Sequence, residues 1–449
     1  MDTPSAFQPG AALTRLALAG LFMSAPRLAL RIEAHGLDLD YRAPHTIYTI
    51  THKRDPDTFA SPPVILAHRG WRALTTDVRF IMRADAVQTG FLIRLVKRPA
   101  WLRRALRPFS VGGVLRKAGV YPIDGFHSRP AELWIRDALA AEGDMPAGAL
   151  LAPETLRALA VASGSSPEAL AALPLTALTG WRYVTALQLP TGSSLFTGPG
   201  RRRAERRMIA TAREQLRAAV SWLRAGGSLY MTPEGRLSPN GLLSPARAGL
   251  RLLLRDAPPD TRIQPIAIMY DFMTTGRMGM ILDLAPPIED AARWSGSQLE
   301  RQLRAAWLGA ARFTCTQLAT ATLVMLHTRA GAGKPVTGRM DELARLTHEL
   351  AVALDASGRH VDGRLLTADG ARRRVRRYLR YAARHGLACL NGATYTIAPG
   401  ALPARDDAPA ELPGIPPDGA GYHAYPMRYA WNEALEMLDA AGFATRHAD

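Results

Sequence analysis

His52 and Asp57 stand five positions apart in Tyr48-Thr49-Ile50-Thr51-His52-Lys53-Arg54-Asp55-Pro56-Asp57, directly after a short apolar run. Asp is a favoured N-cap and Pro is at ease in the first helical position, so Asp55-Pro56 predicts a helix start. His52 then sits on the turn, and Asp57 in the first helical turn. A carboxylate so placed can accept the proton of one imidazole nitrogen, fixing the tautomer and leaving the other nitrogen as an outward base. The stretch contains no Ser or Cys nucleophile, so the fitting chemistry is deprotonation of a substrate hydroxyl. A second stretch, Gly227-Ser228-Leu229-Tyr230-Met231-Thr232-Pro233-Glu234-Gly235-Arg236-Leu237-Ser238, reads as another short strand ending in a polar turn. Gly235 lets backbone approach a ligand closely, and Arg236 offers a planar donor fork suited to phosphate.

Together and in this order, the two stretches resemble the glycerolipid acyltransferase superfamily, which includes the glycerol-3-phosphate and lysophosphatidate acyltransferases. The resemblance covers roughly residues 31 to 290 and rests on four blocks. The family's first block, His and Asp with four residues between, falls on His52 and Asp57. Its third, Phe-Pro-Glu-Gly-Thr-Arg-Ser, is matched by Pro233, Glu234, Gly235 and Ser238. The second resembles Gly119-Val120-Tyr121-Pro122-Ile123-Asp124, and the fourth resembles Ile263-Gln264-Pro265-Ile266-Ala267-Ile268. Two departures concern the acceptor's phosphate. Arg236 directly follows Gly235, with Leu237 where the family usually has its Arg. Asp124 and Gly125 stand where an Arg is common, which makes Arg129 the nearest candidate.

The resemblance implies an O-acyltransferase that moves a fatty acyl group from a thioester to a glycerolipid hydroxyl. The block order favours 1-acylglycerol-3-phosphate as acceptor, with glycerol-3-phosphate as runner-up. It implies His52 and Asp57 as the catalytic pair, with Pro233, Glu234, Gly235, Arg236, Ser238 and Arg129 around the acceptor. No cofactor or metal is expected; the co-substrate is acyl-CoA or an acylated carrier protein. The setting implied is the cytoplasmic face of a membrane, held peripherally or monotopically.

The elements that would position these residues read as an α/β fold, a mixed sheet flanked by helices over about 32–295. Val78 to Met82 reads as a further strand. The stretch from about 130 to 200 reads as an insertion punctuated by Ser163-Gly164-Ser165-Ser166-Pro167 and Gly198-Pro199-Gly200. Arg201 to Arg224 has strong helical character, with Met208, Ile209, Leu216, Val220 and Leu223 on one face. After Ala291 the pattern turns helical, predicting a mostly helical domain over 296–449 with helices at Leu299–Leu326, Met340–Leu354 and Ala371–His385. A hairpin turning at Asn391-Gly392 follows, then a Pro- and Asp-rich linker at 401–417 and a closing helix at Ala430–Ala441. Helices followed by a hairpin suggest a winged-helix-like module.

The 449 residues exceed what one core normally serves. The formal charge is +17, carried almost wholly by Arg, since the lysines are Lys53, Lys97, Lys117 and Lys334. Such a balance favours a polyanionic partner, nucleic acid or an anionic lipid surface. A nucleic-acid binder using Arg372, Arg373, Arg374, Arg376, Arg377 and Arg380 is the competing class, but it leaves His52, Asp57 and Glu234 unexplained; no nucleic-acid partner is expected. Cys315 and Cys389 are too few and too dispersed for a disulfide framework or a thiolate zinc site, which fits a reducing, cytoplasmic setting. Ala11 to Leu30 is mostly apolar but interrupted by Arg15, Pro26 and Arg27, and so falls short of a spanning helix. It reads equally as a membrane-surface helix or a packed one over 1–31. The segment from Arg94 to Lys117, with Trp101 among its arginines, suits a headgroup layer.

Overall fold

The computed structural model describes residues 27, 30–37, 44–54, 57, 60–62, 64, 78–83, 112–117, 119–123, 131–179, 183, 193–331, 334–403, 412, 415 and 421–443. Arg129, Asp55, Pro56, most of the 1–31 segment, the Trp101 region and most of 401–417 lie outside the described residues. In chain order the first strands are β1 (Leu30–His35), β2 (Thr46–Ile50), β3 (Val78–Arg83), β4 (Val120–Ile123) and β5 (Ser228–Met231). The rest are β6 (Arg262–Asp271), β7 (Met278–Leu284), β8 (Thr337–Arg339), β9 (Ala388–Asn391) and β10 (Thr394–Ile397). The chain divides into two compact units, one of residues 1–15 and 76–227, the other of residues 16–75 and 228–449.

In the first unit β3 pairs parallel with β4, Phe80 opposite Val120. The stretch from 131 to 208 builds a core of its own. Trp134 and Ile135 on α1 (Ala131–Glu142), Leu156 and Leu159 on α2 (Pro153–Ser163), and Met208 on α3 (Gly198–Arg224) pack around Leu170, Leu175 and Phe196. The breakers read from the sequence here are helix punctuation. Gly164 closes α2 in the left-handed conformation at φ 67°, and the Ser166 side chain accepts the Ala169 N–H at 3.1 Å to open the next helix. Glu142 ties α1 to α3 through Arg203 (2.7 Å) and Arg207 (2.9 Å).

The second unit holds a mixed sheet in the order β1-β7-β6-β2-β5, with flanking helices. β2 lies parallel to both β6 and β5, β1 is parallel to β7, and β6–β7 is an antiparallel hairpin. All five residues of β2 are buried, as a strand covered on both faces requires. The helices are α4 (Ala248–Asp256), α5 (Gly296–Ala310), α6 (Cys315–Ala330), α7 (Met340–Ala356), α8 (Ala368–Arg384) and α9 (Pro426–Ala440). The largely helical stretch expected over 299–326 is two helices that meet at 311–314, where Thr314 makes a capping box with Gln317 and starts α6. α6, α7 and α8 pack on one another, and β8, β10 and β9 form a small antiparallel sheet beside them.

This helical region is fastened to the large sheet by ionic contacts. Asp271, at the end of β6, pairs with the buried Arg374 of α8 and accepts the Thr316 N–H at 3.0 Å. Asp283 of β7 takes both Nε (3.1 Å) and Nη2 (2.7 Å) of Arg312. Glu33 of β1 pairs with Arg364. Trp307 of α5 donates to the Thr49 carbonyl at 3.3 Å, seating that helix on β2. The boundary expected near 296 therefore falls inside this unit.

Candidate active site

β2 and β5 are parallel neighbours, with Thr49 opposite Met231, so their carboxyl ends open on the same edge of the sheet. That edge is where open α/β sheets place ligands. Thr51 closes the sheet, its N–H reaching the Ile266 carbonyl at 3.2 Å and its hydroxyl accepting the Ile268 N–H at 2.9 Å. His52 is the next residue, and Pro233-Glu234-Gly235 stands three residues into the edge beyond β5.

The turn grips His52 by its backbone. The Glu234 carboxylate accepts the His52 N–H at 2.8 Å with one oxygen and the Ser244 N–H at 2.8 Å with the other. From the same loop, the Ser238 N–H donates to the His52 carbonyl at 2.9 Å. Ser238 is itself buried and braced, its hydroxyl donating to Leu242 O at 2.7 Å and accepting the Gly241 N–H at 2.9 Å. Burial pushes the Glu234 carboxyl above the ordinary carboxylate range, opposed by Lys53 and the two N–H donors. Glu234 had been expected to order a ligand or Arg236; its two oxygens instead serve backbone, which makes it a strut between the two loops.

The His52 ring is held from below. Nδ1 lies 3.4 Å from Oδ2 of Asp57, which is fully buried and helical, as expected. That Oδ2 also accepts the N–H groups of Lys53 (2.6 Å) and Arg54 (2.8 Å), while Oδ1 accepts the Tyr270 hydroxyl. Four donors converge on one carboxylate, so both of its oxygens are satisfied. Burial and the Asp57 charge push the Tyr270 phenol well above its usual range, so Tyr270 stays a donor. With the Asp57 carboxylate as acceptor the ring proton belongs on Nδ1, and Nε2 is left as the basic nitrogen. The His52 side chain keeps 15% of its surface exposed, enough to meet a substrate proton.

Three further residues complete the turn. Arg54 is 1% exposed, its guanidinium stacked 3.6 Å from the Phe272 ring centre and 3.8 Å from that of Tyr422, with Tyr270 and Tyr429 farther out. Among the described residues none of its side-chain nitrogens has a hydrogen-bond partner. Its stabilisation is therefore the cation–π attraction, which strengthens when water is excluded. The Tyr429 hydroxyl donates to the Lys53 carbonyl at 3.0 Å, and the Lys53 ammonium donates to the Gly241 carbonyl.

Arg236 and Arg247 flank the Pro-Glu-Gly turn. Arg236 is half-buried and makes no side-chain hydrogen bond or ion pair among the described residues. Arg247 donates from Nε to the Glu234 carbonyl at 3.0 Å, and its stem lies over Gly235, where an added Cβ would come within 2.8 Å of its Cδ. Gly235 also sits at φ 64°, so glycine is required there twice over. Among the described residues, no group of three or more His, Cys, Asp and Glu is placed to hold a metal ion.

Sequence reading brought together His52, Asp57, Pro233, Glu234, Gly235, Arg236 and Ser238, and the structure gathers all seven at one sheet edge. It missed Tyr270, Arg54 and Arg247. Tyr270 had a usable signal, since it lies one residue before the end of the strand of the fourth block, on the same edge. Arg247 had none, because its approach depends on how the loop from 236 to 246 doubles back. Comparison with protein-family models and with curated proteins gave no match.

Proposed function

We propose that this chain is an O-acyltransferase that moves a fatty acyl group from a thioester, acyl-CoA or an acylated carrier protein, to a glycerolipid hydroxyl. The acceptor proposed is 1-acylglycerol-3-phosphate, with glycerol-3-phosphate as the alternative. One observation carries the reading: the Pro233-Glu234-Gly235 loop holds both backbone polar groups of His52 while the ring faces a buried, four-donor Asp57. A site built only for folding has no need to leave an imidazole nitrogen free at the end of so heavily braced a turn.

In the proposed reaction His52 Nε2 takes the proton of the acceptor hydroxyl as its oxygen attacks the thioester carbonyl, since an alcohol is a poor nucleophile until a base removes that proton. The new C–O bond gives a tetrahedral oxyanion. Its collapse breaks the C–S bond, and the imidazolium returns its proton to the departing thiolate. Asp57 orients the ring and stabilises the imidazolium. Arg236 and Arg247 flank the turn and are assigned to the acceptor's phosphate, with Arg129 in reserve.

The order α6, β8, α7, α8, β9, β10 supports a winged-helix-like reading of the C-terminal region. No helix among the described residues is long and apolar enough to cross a membrane; the attachment proposed is peripheral, on the cytoplasmic face. The test is a matrix of acyl-CoA and acylated carrier protein against glycerol-3-phosphate and lysophosphatidate, read by mass spectrometry. Formation of an ester product with release of free thiol is expected; hydrolysis alone, or no turnover with any pair, overturns the reading.

A further inference from the structure

The most strongly charged surface outside the His52 edge is one face of α8. Arg372, Arg373, Arg376, Arg377, Arg380 and Arg384 are all exposed, and they run along about 18 Å of helix at 1.5 Å per residue. One of them is paired, Arg372 to Asp341 at 3.2 Å. The opposite face is spent on the core, where Val375, Tyr378, Leu379 and Ala382 are buried and Arg374 is locked to Asp271. This is therefore a rigid cationic stripe rather than a helix awaiting an apolar partner.

We propose that this arginine face is the surface on which the chain docks to a bilayer rich in anionic lipid. The choice of a bilayer over another polyanion rests on the proposed function, because an enzyme acting on glycerolipids must come down on a membrane. The structure adds three arguments. The apolar side of α8 is buried, so the helix can lie on headgroups but cannot insert, and attraction must come from charge. Between Ala371 and Arg384 the helix has no Asn, Gln, Ser or Thr, the amide and hydroxyl groups that help read base edges in a duplex groove. At its C-terminal end Tyr381 stacks on His385 at 4.1 Å, an aromatic pair suited to the headgroup layer.

The experiment is flotation of the full-length protein with vesicles of phosphatidylcholine alone and of phosphatidylcholine with phosphatidylglycerol in equal parts, at low and physiological salt. Two variants are compared, Arg373→Glu/Arg376→Glu/Arg377→Glu and the same three positions changed to Lys, with circular dichroism to verify folding. Binding is expected only to the anionic vesicles, weakened by salt. The Glu variant should bind at least about a hundredfold more weakly, three basic charges near an anionic surface each being worth roughly a factor of five. The Lys variant should bind as well as the parent, because a smeared charge does not need a guanidinium fork. Undiminished flotation of a folded Glu variant overturns the proposal. So does a result in which the parent binds duplex DNA and ignores anionic vesicles. Activity of both variants on a water-soluble short-chain acceptor separates the two readings: docking without turnover sinks the enzyme and leaves the surface, and turnover without docking does the reverse.

Discussion

Glu234→Gln separates a strut from a ligand-binding residue. In the parent, two backbone N–H groups each reach a carboxylate oxygen at 2.8 Å, from His52 and from Ser244. Gln keeps one acceptor and turns an NH₂ group toward the other N–H, so one charge-assisted bond is lost and the survivor becomes neutral. A hydrogen bond to a charged group contributes about 1.5–3 kcal/mol and a neutral one about 1. Removing the carboxylate also removes its desolvation cost, the cause of its raised pKa. The net expectation is a loss of about 2–4 kcal/mol, or a fall in Tm of about 3–7 °C for a unit of this size. Because both bonds brace the loop that holds the His52 backbone, kcat should fall with Tm while the acceptor KM stays nearly constant. Thermal unfolding together with steady-state kinetics on one preparation reads both. An unchanged Tm with a raised acceptor KM would refute the strut and return Glu234 to the substrate.

Arg236→Ala and Arg247→Ala should each raise the acceptor KM with little change in kcat, and Arg247→Ala should also loosen the turn it covers, lowering Tm slightly. If neither moves KM, the phosphate is held elsewhere and Arg129→Ala is the next variant to measure. Glu142, held below the ordinary carboxyl value of 4.5 chiefly by its hydrogen bond to Arg203, contributes stability that is present above that value and is lost as pH falls through its folded-state pKa. Amide protection across α1 and α3, taken relative to the intrinsic exchange rate at each pH, should therefore fall on acidification, and Glu142→Gln should show the lower protection already at neutral pH; pH-independent protection in the parent would contradict this.

What the sequence made legible follows from how local each signal is. His52 and Asp57 are joined by one strand end and one helix start, so chain spacing alone brings them together. Strands β5 and β6 were visible because Leu229-Tyr230-Met231 and Ile266-Ala267-Ile268 are apolar runs beside turn residues, whereas β7 was not read. Gly164 and Ser166 were read as loop because cap chemistry and loop chemistry use the same residues, and the buried Trp134 and Phe196 that decide between them meet only in three dimensions, their rings 6.1 Å apart and nearly perpendicular. The stacking of Arg54 on Phe272 and Tyr422 was hidden for the same reason, since its partners lie more than two hundred residues away along the chain. The role of Glu234 was legible in place but not in partner: a turn carboxylate reads as a ligand group until the backbone of a neighbouring loop is seen to occupy both oxygens.

The most direct measurement of the central claim is the single-turnover rate of acyl transfer in His52→Ala, with the fold checked by circular dichroism. His52 is partly buried at its ring and held through its backbone, so truncating the side chain leaves the Glu234 and Ser238 bonds in place and the protein should remain folded. Loss of a general base costs about 10² to 10⁴ in the chemical step. A fall of that size with thioester binding intact is what the proposed mechanism predicts. Transfer at nearly the parent rate by a folded His52→Ala protein would contradict it.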